Sequence, residues 1–379
     1  MTDDQQWQPP GGPGAPVPPA AEPSAGYYPV PTGGQQPGWT PAPKPGLIPL
    51  RPIEFGTLLG ASFQLLRRNP RPTFGASLVI QTISTLLSVA ILGAITFFGV
   101  SRLSSSTDAD LDLIGAGNAG LIVVGALVTV ALSVVASAML QGIIVVEVTR
   151  QTLGEKSTFR QLWTRVKGRV PALAGWSLLL GLAIVLAIGV LGGAIAVLAS
   201  TLGPVGIALA VLIGIVGGLA LIALGVWVGT KLSLVPSAIS IERLGVGAAM
   251  RRSWWLTSGS FWRTLGIELL VLVMLNLASQ VISVPLSLIG GIVIGLIDPN
   301  GQMSATTVVV VIVIGILTVG LSLVIAAITI VVQSGSTALI YLDRRIRTEA
   351  LDLELISYTE ARHRGDGSVP DPFPGPTAV

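Results

Sequence analysis

The chain has 379 residues, of which 51% are hydrophobic and 11% charged, less than half the roughly 25% charge of an ordinary soluble domain. With a mean hydropathy of +0.78, lipid is the expected solvent, and the length counts membrane spans instead of soluble domains. No Cys and a single His exclude disulfides, thiolate metal sites, iron–sulfur clusters and most imidazole chemistry, so no metal or other cofactor is expected.

Residues 1–46 hold 13 of the 26 Pro and 8 Gly without apolar periodicity. Such a stretch cannot bury enough surface to offset its ordering entropy and is expected to be a disordered tail. Asp3 and Asp4 stand where a signal peptide has basic residues, and no apolar core follows them. Beyond the tail, uncharged stretches cover 72–101, 113–146, 170–230, 269–297 and 299–342, each longer than the roughly 20 residues that cross a bilayer as a helix. The third is long enough for two crossings, divided at Thr201-Leu202-Gly203-Pro204, where Pro lacks a backbone donor and Gly favours a turn. The expectation is six spans near 74–100, 119–147, 172–200, 205–231, 266–297 and 306–341. Their uniform apolarity excludes β-barrel strands, which alternate with polar positions.

The 22 Lys and Arg set the orientation. Five precede the first span, six lie between the second and third, five between the fourth and fifth, five follow the sixth, and only Arg102 falls on the other side. Both termini are therefore expected in the cytoplasm of a bacterial inner membrane. The pI near 9.5 is assigned to anionic inner-leaflet lipids and not to nucleic acid.

Three repeated units are legible, each with a basic amphipathic stretch, a span opening near a Gly, and a returning span that ends in an acid followed by Arg. The opening glycines are Gly75, Gly175 and Gly266, and the closing acids are Glu147, Glu242 and Asp343. The expected fold is an all-α polytopic bundle of three αα-hairpins with cytoplasmic interfacial helices, over 47–350, followed by a charged and largely disordered tail at 351–379. The clearest interfacial helix is Ser157–Lys167, where Phe159, Leu162, Trp163 and Val166 form one stripe and Ser157 or Thr158 caps the start. Phe55, Leu58, Leu59, Leu65 and Leu66 repeat it before the first span. In the third unit Met250, Trp254, Trp255, Phe261 and Trp262 adjoin Arg251, Arg252 and Arg263 as an anchoring aromatic belt.

The string from Ser233 to Trp254, with Glu242-Arg243-Leu244-Gly245 at its centre, and Gly259-Ser260-Phe261-Trp262-Arg263 after it, resembles the membrane domain of the glycerophosphoryl diester phosphodiesterase family. The segment Leu50–Phe63, with Arg67-Arg68-Asn69-Pro70, is similar to that family's entry segment, and the Pro/Gly-rich tail to its actinobacterial members. The resemblance covers about 48–350 and implies, for a chain without the catalytic barrel, a membrane protein of undefined activity. His363-Arg364-Gly365 matches the first motif of that barrel, but catalysis also needs metal-binding carboxylates and a second His, and only 14 residues remain. The motif is read as a charged tail.

Charge inside hydrocarbon costs roughly 2.5–3.5 kcal/mol on insertion scales, which makes intramembrane polar residues the sharpest functional hint. Lys231 and Glu268, next to Asn276 and Gln280 and a kink at Pro285, either snorkel or pair structurally, or they line a polar pocket for a substrate. Gln81, Gln141 and Gln333 read as interhelical hydrogen-bonding groups, and Gly189/Gly193, Gly214/Gly218, Gly225/Gly229 and Gly291/Gly295 as close-packing pairs. The leading expectation is a non-enzymatic scaffold or membrane-organising protein whose partners are the bilayer and its anionic lipids, with a protein partner or second copy left open. The alternative is a transporter or binding protein for a lipid or small amphiphile. Three hairpins in one orientation argue against an inverted-repeat transporter.

Overall fold

The computed structural model describes residues 46–47, 52–104, 111–299, 301, 304–366 and 368–373. The expected tail at 1–46 lies outside them except for Gly46. The protein is 87% helical with no strand among the described residues. The helices are α1 (Phe55–Arg68), α2 (Ala76–Ser104), α3 (Leu111–Thr152), α4 (Phe159–Val166), α5 (Val170–Thr201) and α6 (Gly203–Leu232), then α7 (Val235–Ile241), α8 (Val246–Ser258), α9 (Phe261–Ile297), α10 (Ala305–Glu349) and α11 (Leu351–His363). Six stretches are long and apolar enough to cross a membrane: 71–102, 120–152, 170–201, 203–241, 261–297 and 305–349. Their most apolar windows are only 0–17% buried within the protein, which in water would be an aggregation surface and in lipid is a solvated one.

Consecutive long helices pack in pairs, α2 with α3, α5 with α6 and α9 with α10. The division of the long third stretch follows its chemistry: α5 stops at Thr201, Gly203 adopts φ +57, and Pro204 sits in the first turn of α6, where its missing donor costs nothing. Two spans run further than expected, α3 to Thr152 and α10 to Glu349. An acid ends contact with lipid but not the helix. Conversely, α6 ends at Leu232 and α7 restarts at Val235 with Pro236 in its first turn, so the long fourth stretch is broken.

The core gathers at the end of the bundle that carries most of the cations. It is built from Leu140, Ile143 and Ile144 of α3, Ile239 of α7, Ile267 of α9, and Leu339 to Leu342 of α10. The short helices bury one face each against it. In α1 the buried positions are Leu58, Ala61, Ser62 and Leu65, the i, i+3, i+4, i+7 stripe of an amphipathic helix. This helix docks on α10, with Ser336 donating to Ser62 at 2.9 Å and Gly335 so close that an added Cβ would meet Leu65 Cδ1 at 2.2 Å. In α4, Thr158 and Gln161 form the reciprocal capping box, and Leu162 and Val166 are buried while Phe159 is exposed.

Two expectations fail. Residues 351–373 are not a loose tail: α11 buries Leu351, Leu355 and Ala361, and Phe373 is buried with its carbonyl accepting from Arg150 Nη2 at 2.7 Å. A charged helix with few apolar residues escapes a search for apolar runs. The glycine pairs do not pack helices together either; Gly189, Gly193, Gly218, Gly225, Gly229, Gly291 and Gly295 face open space, and Gly214 only reaches Ile195 Cδ1 at 3.5 Å. Close approach occurs instead at other glycines, among them Gly217, where an added Cβ would lie 2.7 Å from Leu191, and Gly142, where it would lie 2.6 Å from Val166 and 2.9 Å from Leu173.

Candidate functional site: a polar cavity inside the bundle

Lys231 and Glu268 form no ion pair. Lys231 lies in the last turn of α6 and its side chain reaches α8. There its Nζ is 3.3 Å from Ser258 Oγ and 5.4 Å from the Trp254 ring centroid, while Ser253 donates to the Lys231 carbonyl at 2.7 Å. The cation is thus held by a hydroxyl and an aromatic face. Trp254 is edge-on to Trp227 at 5.4 Å.

Glu268 faces the other way, into a cavity of about 420 Å³ between α3, α5, α6, α9 and α10. Its polar lining includes Gln141, Ser177, Ser233, Gln333 and Thr337. The Ser233 hydroxyl donates to the Thr230 carbonyl at 3.0 Å, and Glu268 Oε1 is buried with no hydrogen-bond partner. The Gln141 and Gln333 side chains make no hydrogen bond to another described residue. Unpaired polar groups in a low-dielectric setting cost on the order of 1–3 kcal/mol each, so this arrangement is poised to accept hydrogen-bonding partners. No Lys or Arg lines the cavity, so the carboxylate is its sole charge when ionised. Ser177, the position in α5 matched by sequence to Glu268 in α9, lines the same cavity, whereas Ser77 is buried and donates to the Thr73 carbonyl.

The other two members of the expected pocket lie elsewhere. Asn276 is exposed and donates to the Leu272 carbonyl at 2.9 Å. Gln280 lines a shallower pocket with Ser283, Ser287, Thr318 and Ser322. Pro285, where a kink was expected, lies inside the continuous α9.

The three acids expected to close the repeats bond to segments distant in sequence at the cation-rich end. Glu147 accepts from Asn69 Nδ2 at 2.7 Å and Gln151 Nε2 at 2.9 Å. Glu242 receives Arg252 through Nη2 at 2.7 Å and Nε at 3.0 Å, and the Tyr341 hydroxyl also bonds to it. Arg252 also reaches Glu349 at 2.5 Å, which pairs with Arg345 at 2.8 Å. These contacts pull the Arg252 guanidinium pKa up against the opposing effect of its desolvation. Asp343 accepts the Ile53 N–H at 2.8 Å and both Arg347 and Arg263, and those two arginines hold the Ile53 carbonyl. Of the aromatic anchors, Trp262 is 80% exposed, Trp255 is exposed beneath the Arg252 guanidinium, and Trp163 is half-buried against the core. Arg251 is exposed. His363 ends α11 with Nδ1 2.6 Å from the Thr359 carbonyl, and Gly365 at φ +75 closes the helix, so His363-Arg364-Gly365 serves as a helix terminus.

What the sequence reading missed is a ladder of hydroxyls around Gln333. Thr318, Ser322, Thr329 and Thr337 share one face of α10 with it, and Ser279, Ser283 and Ser287 recur on α9. Their spacing of four or seven residues is the signal available in the sequence.

Residues 157–343, from the start of α4 to the closing acid of α10, are similar to a family described as Domain of unknown function (DUF7847). Neither the curated proteins nor the solved structures contain a match to the chain.

Proposed function

We propose that this is a multi-pass protein of the bacterial cell membrane that binds an amphiphile with a protonated amine head in the cavity around Glu268, with its cation-rich end and both termini in the cytoplasm. The observation that carries the reading is the unpartnered Glu268 Oε1 in a cavity with amides and hydroxyls and no cation. A cationic head supplies the missing charge, an anionic one is repelled, and the low dielectric strengthens both effects. The cavity favours binding over the scaffold role expected from the sequence. A non-enzymatic role is part of the reading: Glu268 is the one titratable side chain lining the cavity among the described residues, and no nucleophile–base pair accompanies it there.

The hairpins are read as three copies of one unit. Gly175 and Gly266 each lie five residues inside their helices, and Glu147, Glu242 and Asp343 bond, in turn, to Asn69 at the end of α1, Arg252 of α8 and Ile53 just before α1. The similarity over 157–343 spans the second and third of these units. The cation distribution supports the orientation.

Native mass spectrometry of the protein released from mild detergent tests the binding reading. Wild type is expected to retain an amine-headed phospholipid in preference to phosphatidylglycerol, and Glu268→Gln is expected to lose that preference. Equal retention of both lipids by wild type would refute the reading.

A further inference from the structure

The cavity at Glu268 does not stand alone. It shares Ile330 and Gln333 with a second pocket of about 380 Å³, lined also by Gln81, Ser279, Ser283, Ser322 and Thr329. That pocket in turn shares Ser283 and Ser322 with a third of about 190 Å³, lined also by Gln280, Ser287 and Thr318. The three follow one another along the α9–α10 pair. On α9 the series runs from Glu268 to Ser287 and on α10 from Thr337 to Thr318, nineteen residues in each case. At 1.5 Å per residue both are about 28 Å long, which matches a hydrocarbon thickness of about 30 Å.

Hydroxyls in membrane helices commonly satisfy themselves on the carbonyl one turn back or bridge neighbouring helices as packing glue. Elsewhere in this protein they do so: Thr82 bonds the Leu78 carbonyl, Ser133 the Thr129 carbonyl, and Ser336 bonds Ser62 across helices. Within the series, Thr318 and Ser287 also bond their own helices. Ser279, Ser283, Ser322, Thr329 and Gln333 make no hydrogen bond to another described residue. These five do not glue α9 to α10; they leave a row of free donors and acceptors between the inner and outer ends of the series. The groove they line is open along its side, since Ser322, Gln333 and Gln280 are exposed and Ser279 and Ser283 half-exposed. Pro285 adds an acceptor at the outer end, because its ring nitrogen cannot bond the Val281 carbonyl.

We propose that the α9–α10 hairpin carries a polar track through the bilayer, along which the amine head of a phospholipid passes between leaflets while its acyl chains remain in the surrounding lipid. This rests on the reading of Glu268 as the counter-ion of a protonated amine. The side opening explains how a head group travels without its chains entering the bundle. The hydroxyls and amides replace its hydration shell at each level, and Glu268 attracts it at the cytoplasmic end. No covalent step is involved.

The test uses the full-length protein in vesicles of amine-headed phospholipid and phosphatidylglycerol, with trace phosphatidylethanolamine fluorescently labelled on an acyl chain so that its amine is free. Dithionite bleaches the outer leaflet alone unless lipid crosses. Wild-type vesicles are expected to bleach completely, at a rate that falls to the protein-free level with Ser283→Leu/Ser322→Leu, which plugs the middle of the track away from Glu268. The same variant is expected to retain amine-headed lipid in native mass spectrometry, showing that it folds and that its cavity still binds. Wild-type vesicles that bleach only the outer leaflet while the protein retains that lipid would overturn the track and leave the binding reading standing. Failure of both measurements overturns both. Acyl-labelled phosphatidylglycerol crossing as fast as phosphatidylethanolamine would overturn the amine assignment, and entry of radiolabelled ethanolamine without lipid crossing would assign the track to the free amine and overturn the lipid.

Discussion

Asp343 offers a sharp test of how the cation-rich end is held together. Its carboxylate is 3% exposed and accepts the N–H of Ile53, itself fully buried, at 2.8 Å. Asp343→Ala leaves that N–H without a partner, which costs about 1–3 kcal/mol. Arg347 and Arg263 are 32% and 34% exposed, so water recovers much of their charge and each lost pair adds at most about 1 kcal/mol. The expected loss for Ala is therefore about 1–5 kcal/mol. Asp343→Asn keeps Oδ1 as acceptor for Ile53 and removes only the charge, for a cost of about 1 kcal/mol. Unfolding titrations in mixed micelles of fixed composition, followed by Trp fluorescence, would resolve the two. If Asn costs as much as Ala, the charge and not the acceptor matters. An Ala variant within the roughly 0.5 kcal/mol of a surface change would refute the clamp altogether.

Because Lys231 and Glu268 face different neighbours, the stability changes of Lys231→Met and Glu268→Gln are expected to add in the double variant within about 0.5 kcal/mol; a larger coupling would restore the pair. Gly142→Val is expected to destabilise by about 1–3 kcal/mol through overlap with Val166 and Leu173. Gly189→Val, which meets open space, should stay within about 0.5 kcal/mol in the same titration, and equal effects would contradict the packing. The Cys-free chain suits single-Cys labelling for orientation. Cys placed at 110, 203 or 300 should react with an impermeant maleimide from outside the cell and Cys at 45, 160, 250 or 365 should not, with any one reversal breaking the six-span topology.

The spans were legible because apolar length is a one-dimensional property: Gly203-Pro204 marked a turn, and Thr158-Phe159-Arg160-Gln161 marked a capped helix start. Ends were less legible where an acid is satisfied by a neighbour distant in sequence, as Glu147 is by Asn69 and Asp343 by Ile53. The same holds for Leu351, Leu355 and Phe373, whose burial depends on docking to partners elsewhere in the chain. The glycine pairs misled because a four-residue spacing shows which residues share a helix face, not whether another helix covers it. Glu268 was visible as a charge within a span, but its direction was not. Packing across helices sets it: Lys231 lies against Trp254 of α8 while Glu268 lines the cavity. The hydroxyl ladder was present in the spacing of Thr318, Ser322, Thr329 and Thr337, and was passed over because single Ser and Thr residues in a helix are usually satisfied by their own backbone.

A cryo-electron microscopy map of the full-length protein in nanodiscs made from amine-headed phospholipid would show what Glu268 faces in a bilayer. The expected result is head-group density in the cavity between Gln141 and Gln333, with its amine within hydrogen-bonding distance of the Glu268 carboxylate and Lys231 still against Trp254. Lys231 turned into the cavity to pair with Glu268, or lipid density confined to the outer faces of the helices, would contradict it.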